Sequence, residues 1–436
     1  MNFSKDKIDP NNGASMLDSQ LSLTEAASKG AIALLLAPLL AAFFAGLLTL
    51  SFALDNGEIT KNIARDFDYM RDATADNGRM IDTLTECTGV AAGLNRLEDD
   101  TLFKAAMRAN TPRGCGGLGA FLENPKPRPA YFYYRYWHGY AVLLRPLLSI
   151  TPYHEIRGHF LTVSLLLFGL LAWRLANDFN GRVALAFVLP FFVLNGFGFW
   201  ILATKAVTWF IAAGGALFMS RRRGPPPLLA FFVIGALTAY FDFLTAPMLC
   251  FTLPMLTWLL YAEPQTAKTN HLAAFGVCFG FFFFGYFGLW AIKFLIAQIA
   301  LGEPVWRDAI TAATQRLRGS EGRIQTFWLG KALYKNWDIL GDLWGPIAIA
   351  LFVVAPLSTR KRRSAIKKLA HHRPALLATA IAPLIWLETL SNHSQLHAHF
   401  THINYAPLFI VSSLIVFGAG SAINKEMRPL GHGSAS

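Results

Sequence analysis

Long apolar runs alternate with polar stretches along the chain, at roughly 30–54, 158–176, 181–200, 203–220, 226–243, 247–262, 271–299, 343–358, 374–391 and 404–422. Each approaches or exceeds the ~20 helical residues needed to cross a hydrocarbon core. The pattern predicts an all-α integral membrane protein of about ten transmembrane helices. An even number of spans places both chain ends on one side. Arg221-Arg222-Arg223, the run Arg360 to Arg363 with Lys367 and Lys368, and Lys425 and Arg428 all fall there. The positive-inside rule makes that side cytoplasmic. The opposite side receives the loop 55–157, a short turn at Asp242, the loop 300–342 and a histidine-dense turn at 393–402.

Residues 1–29 are polar and precede an apolar run longer than the 7–15 residues of a signal h-region, so the expectation is a cytoplasmic tail and a retained anchor. The first outer loop, 55–157, has helical patterning at Ile59 to Met70 and Gly78 to Leu94, then a Pro-rich break at 123–130. The block YFYYRYWHGYAVLLRPLL follows, and Tyr140 to Leu148 predicts a helix lying on the membrane surface, with Arg145 suited to the interface. The fourth outer loop, 300–342, repeats this with Trp306 to Arg318 and Thr326 to Leu340. Spans two to seven then occupy 158–299, the last three 343–422, and a cytoplasmic tail 423–436.

Composition narrows the alternatives. The chain is 54% hydrophobic and only 15% charged, against about 25% charged in soluble domains. Its net charge of +12 sits mainly in short cytoplasmic loops. There it serves topology and anionic lipid rather than nucleic acid. Cys250 and Cys278 lie inside apolar runs and read as packing residues. Cys87 and Cys115 share the long outer loop, where an oxidising compartment permits a disulfide, and their pairing is predicted.

Candidate chemistry concentrates on the outer side. Asp55 and Asn56 follow the first span directly, with Glu58 next; Asp242 sits among aromatics at membrane depth, and Glu86 adjoins Cys87. An acid at that depth is expensive and reads as a functional site, though the plain alternatives are a helix-end residue facing water for Asp55 and a helix cap or loop-tip acid for Asp242. Arg135, Trp137 and His138 fall within four residues, a mixture suited to a phosphate and a sugar face. Lys205 and Lys293 are cations at outer span ends, either snorkelling or holding an anion. His393, His397, His399 and His402 raise a divalent metal, but Glu388 is the only nearby carboxylate and no cofactor is firmly expected. Polar recognition or proton transfer fits the turn better.

An acid just beyond the first span, a long first outer loop with surface helices, about ten spans and basic cytoplasmic loops together resemble the GT-C superfamily of membrane glycosyltransferases. The blocks RYWHGY with RPLL, FDFLT and NHSQLHAHFTHIN are similar to those of multispan bacterial glycosyltransferases. The resemblance implies a bacterial inner-membrane enzyme with a periplasmic active face. It implies an inverting transfer of sugar from a polyprenyl-phosphate carrier to an extracytoplasmic glycan or lipid acceptor. Asp55 takes the base role in that comparison. Many members carry paired acids there, whereas Asn56 follows Asp55 here, so Glu58 and Glu86 stay as alternatives, with Asp242 as a further catalytic candidate. Arg135, Lys205 and Lys293 are expected to hold the leaving phosphate, with Asn56, Trp137, His138, His393, His397 and His399 on the substrate. The competing readings are a polymerase or ligase using a lipid-diphosphate donor and a glycolipid transporter.

Overall fold

The computed structural model describes residues 23–72, 82–126, 129–242, 244–262, 271–318 and 328–418. The polar stretch before residue 23, Phe243, the starts of two expected loop helices at 78–81 and 326–327, the end of the last apolar run and the tail with Lys425 and Arg428 lie outside the described residues. The fold is almost wholly helical. Four helices, Thr24–Phe52, Tyr153–Asp178, His271–Leu301 and Ala398–Val416, are long and apolar enough to cross a membrane. A fifth span is added if Lys331–Asp338 and Gly341–Leu357, bent by 118°, count as one.

The first helix, α1 (Leu23–Phe52), buries Ala33, Ala37, Ala41 and Ala45 and exposes Leu34, Leu35 and Leu39. Small residues every fourth position let neighbours approach closely, while leucine faces lipid. Among the described residues six short helices follow: α2 (Asn56–Arg65), α3 (Phe67–Asp72), α4 (Thr83–Val90), α5 (Leu102–Arg108), α6 (Gly114–Glu123) and α7 (Ala141–Leu148). A two-residue pairing, Asn110↔Phe132 and Thr111↔Tyr131, joins β1 (Asn110–Thr111) to β2 (Tyr131–Phe132). Cys87 of α4 is bonded to Cys115 of α6, with Cα atoms 5.0 Å apart. Arg145, expected at the headgroup level, is instead buried and donates to the carbonyls of Ser51, Leu54 and Ala92 and to Asn56 Oδ1. Ser51 and Leu54 lie at the end of α1 and Ala92 just beyond α4, and one guanidinium fork reaches all three carbonyls at once.

The apolar bundle continues as α8 (Tyr153–Asp178), α9 (Gly181–Val193), α10 (Gly196–Trp200), α11 (Ala203–Met219), α12 (Leu228–Phe241), α13 (Pro247–Tyr261) and α14 (His271–Leu301). The run 181–200 is therefore not one continuous helix: it breaks at Asn195, whose φ of 55° is left-handed. Helix α13 is buried at every residue, so protein rather than lipid surrounds it. Its Thr252 and Thr257 hydroxyls donate to carbonyls four residues back, which satisfies them in an apolar core. Helices α12 and α14 touch backbone to backbone: a Cβ on Gly235 would lie 2.0 Å from Phe282 O, and one on Gly285 2.1 Å from Phe232 O.

The carboxyl-terminal third holds α15 (Val305–Arg318), α16 (Lys331–Asp338), α17 (Gly341–Ala348), a π-helical segment Ile349–Val354, α18 (Ala355–Leu357), basic α19 (Arg360–His372) and α20 (Pro374–Thr389). The histidine turn is ordered as α21 (Ser391–Leu396), α22 (Ala398–Thr401) and a 3-10 turn His402–Tyr405, leading into α23 (Ala406–Val416). Helices α9, α11, α12, α13 and α20 are apolar but only 10–17 residues long.

Candidate functional site

Helix α11 organises the polar interior. Its own N-cap, Leu202, supplies no side-chain hydrogen bond, so its first amides need an acceptor from elsewhere. Glu86 of α4 provides it, accepting from Ala203 N at 2.7 Å and Thr204 N at 3.3 Å, and from the hydroxyls of Thr204 and Tyr153. Burial raises the pKa of this carboxyl; the charge of Arg157 and the Thr204 hydrogen bond oppose it. One residue along, Lys205 donates to Asp82 Oδ2 at 2.9 Å, with side chains 1% and 3% exposed. One turn further, Thr208 donates to Asp242 Oδ1 at 2.8 Å. Asp82, Glu86 and Asp242 thus all meet the first turns of one helix, between residues 203 and 208.

Of these three acids, Asp82 is the one that lines a cavity. It caps α4 by accepting from Thr85 N, and its Oδ1 lies 3.4 Å from His399 Nε2. Burial works against its charge, but the Lys205 ammonium and then His399 hold the carboxyl well below the usual carboxylate range. Lys205 also lies 4.4 Å from the Phe400 ring centroid. These groups form one wall of a cavity of about 510 Å³, which also includes Asn195 and His402. Asp338, Asp342 and Trp344, at the corner between α16 and α17, line it too. A larger groove of about 1070 Å³ is apolar and lined mainly by α11 and α12, away from this chemistry.

The ring centroids of His393 and His397 lie 4.6 Å apart, tilted by 47°, and those of His397 and His399 lie 5.9 Å apart, edge to face. The expected shared face of His393 and His397 is present. His402 turns away from His399 to the carbonyls of Ala398 and Leu194. Burial, then the charge of His399, pushes His397 down to about 4. Among the described residues no group of three or more His, Cys, Asp or Glu is arranged to hold a metal ion.

Other expected site residues are placed elsewhere. Asp55 is exposed, caps α2 through Gly57 N at 3.1 Å, and does not line the polar cavity. Glu58 is exposed and pairs with Lys61. Asn56 is spent on Arg145 and the carbonyls of Gly93 and Leu94. Asp242 is fully engaged as a turn cap, accepting from Thr245 N, Ala246 N and two threonine hydroxyls. Arg135 is held by Asp308 at 2.7 Å; burial opposes its charge, but Tyr131 and Asp308 outweigh it and raise its pKa. Lys293 is buried and donates to Met107 O at 2.8 Å, 5.8 Å from the Trp137 ring. Trp137 donates to Leu289 O, and His138 bridges Tyr140 OH and Tyr133 O. The polar atoms of Arg135, Lys293, Trp137 and His138 are thus already occupied or buried.

Sequence reasoning passed over Asp82, which reads as an ordinary N-cap four residues before Glu86, and Asp338 and Asp342, which look like solvated loop acids. It also passed over the Asp66-Phe67-Asp68 spacing, a pair of acids in the first outer loop. The structure separates that pair: Asp66 accepts from His154 N and Nδ1, while Asp68 pairs with exposed Arg71. Comparison of the chain with protein-family models, with curated proteins and with solved structures gives no match.

Proposed function

We propose that this protein is a membrane glycosyltransferase of GT-C type, moving a sugar from a polyprenyl-phosphate carrier to a hydroxyl acceptor on the outer face of a bacterial inner membrane. The observation that carries the reading is the Asp82–His399 pair beside Lys205 in the wall of a polar cavity. Its volume lies within the range of small-molecule sites. An imidazole oriented by a buried carboxylate is a standard proton acceptor. With Nε2–H directed to Asp82, Nδ1 takes the acceptor's proton as its oxygen attacks the anomeric carbon. The sugar–phosphate bond breaks with inversion, and the phosphate leaves with the lipid. Asp338 and Asp342 are placed to accept hydrogen bonds from sugar hydroxyls. The base role thus moves from Asp55 to His399.

The same reading takes the four long helices, the bent pair and the five shorter apolar helices as ten membrane segments. In its support, groups expected outside converge near the amino end of α11, while Arg362 and Arg373 donate to Val416 O and Leu259 O near the carboxyl ends of α23 and α13. Cations stabilise such helix ends.

The test is transfer from a polyprenyl-phosphate sugar in proteoliposomes. His399→Gln is expected to lower the rate about 10²–10³-fold while donor binding persists, and Asp55→Asn to retain most activity. Full activity in His399→Gln with loss in Asp55→Asn would return the base to Asp55. No transfer by the unmutated protein from any such donor would remove the reading.

A further inference from the structure

The apolar groove lies outside the proposed reaction, and its shape and charge define a ligand of their own. It runs along α11 from Val207 to Phe218, about 17 Å at the α-helical rise, more than half the ~30 Å hydrocarbon core. Its floor opens at Gly214, where a Cβ would meet nothing within 4 Å. Leu143 of α7 and Phe241 of α12 lie toward the far end, opposite the basic mouth. At that mouth sit Lys29 of α1 and Arg222, beside exposed Arg221 and Arg223, with Glu25 as the one acid in the lining. The Arg222 guanidinium rests 4.6 Å from the Phe218 ring centroid, beside the apolar channel.

We infer that this groove binds one acyl chain of an anionic phospholipid, its phosphate held between Lys29 and Arg222. The argument is charge complementarity joined to an apolar channel of chain length: a zwitterionic lipid fills the channel equally well but gains less from two cations at its headgroup. The charged mouth lies at the end of the bundle marked by Arg221 to Arg223, and no residue lining the channel lines the cavity of Asp82 and His399. Binding there therefore stands or falls independently of transfer.

The full-length protein is equilibrated in nanodiscs of phosphatidylcholine with a minor share of phosphatidylglycerol, moved to detergent and weighed intact by native mass spectrometry. The expected result is one retained phosphatidylglycerol, enriched about tenfold over its share in the disc. Lys29→Gln with Arg222→Gln, at side chains that are not buried, should abolish the enrichment while the protein stays folded. Gly214→Leu should remove retained lipid of both kinds. Equal retention of both lipids by the unmutated protein, enrichment that survives the double substitution, or a prenyl phosphate recovered in place of the phospholipid would each overturn the assignment.

Discussion

Lys205 and Asp82 meet at 2.9 Å across 123 residues of sequence, and water scarcely reaches either side chain. Such a pair is weak evidence for stability when intact, but breaking it strands a buried charge. Asp82→Asn and Lys205→Met should each destabilise the detergent-solubilised protein by about 3–5 kcal/mol. The double variant should lose less than the sum. Strictly additive losses in thermal melts would show that the two charges do not depend on each other.

Two buried imidazoles set an acid limit. Burial lowers His397 to about 4 and His138 to about 3 from the ordinary 6.5. Both are neutral in the folded protein, while the unfolded chain takes up protons below 6.5. The stability they contribute is complete above 6.5 and is lost as pH falls through the window toward 4. For His397 the loss is on the order of 3 kcal/mol. Melting temperature should be flat from pH 8 to 7 and fall steeply below 6.5. His397→Gln should flatten that slope, and an unchanged slope would exclude this imidazole as the cause.

The crossing of α12 and α14 tolerates no side chain at two positions. Gly235→Ala or Gly285→Ala drives a methyl into a facing carbonyl, and each should destabilise by about 3 kcal/mol. Gly276→Ala, on the same α14 but with nothing within 4 Å of its Cβ, should be neutral or stabilising by up to about 1 kcal/mol. Comparable losses at all three sites would exclude the close approach of α12 and α14 as the cause.

The Cys87–Cys115 bond closes a loop of 28 residues and should contribute roughly 3–4 kcal/mol by the chain-entropy estimate. Non-reducing peptide mapping should recover the two cysteines in one bridged peptide. Reduction should loosen α4 and, through Glu86, expose the first amides of α11 to hydrogen exchange. Unchanged exchange at Ala203 and Thr204 after reduction would show that α4 stays docked without the bond.

Much of the architecture was legible along the chain because lipid imposes one strong rule: apolar segments must satisfy their backbone internally, and helices do so. The apolar runs all prove helical, and the surface patterning at Ile59 to Met70, Tyr140 to Leu148 and Trp306 to Arg318 marks helices seen as α2, α3, α7 and α15. The break at Asn195 inside an apolar run was not legible, since hydropathy averages over a single left-handed residue. Nor was the burial of Arg145, whose partners are backbone carbonyls that carry no residue-specific signal.

The site shows the same division more sharply. Sequence alone raised the expectation that the polar, chemically capable residues cluster on one side of the apolar runs, because charge is costly within the bilayer and topology sorts what remains. It could not rank those residues. Asp55 and Asp82 are both acids at helix starts, and only the packing of α4 against α11 leaves the first as an exposed cap and sets the second against Lys205 and His399. Which carboxylate faces an open cavity and which is consumed by amides depends on contacts spanning more than a hundred residues. Those contacts were decided by the tertiary structure, where helix ends without partners recruit whichever polar side chains the packing brings within reach.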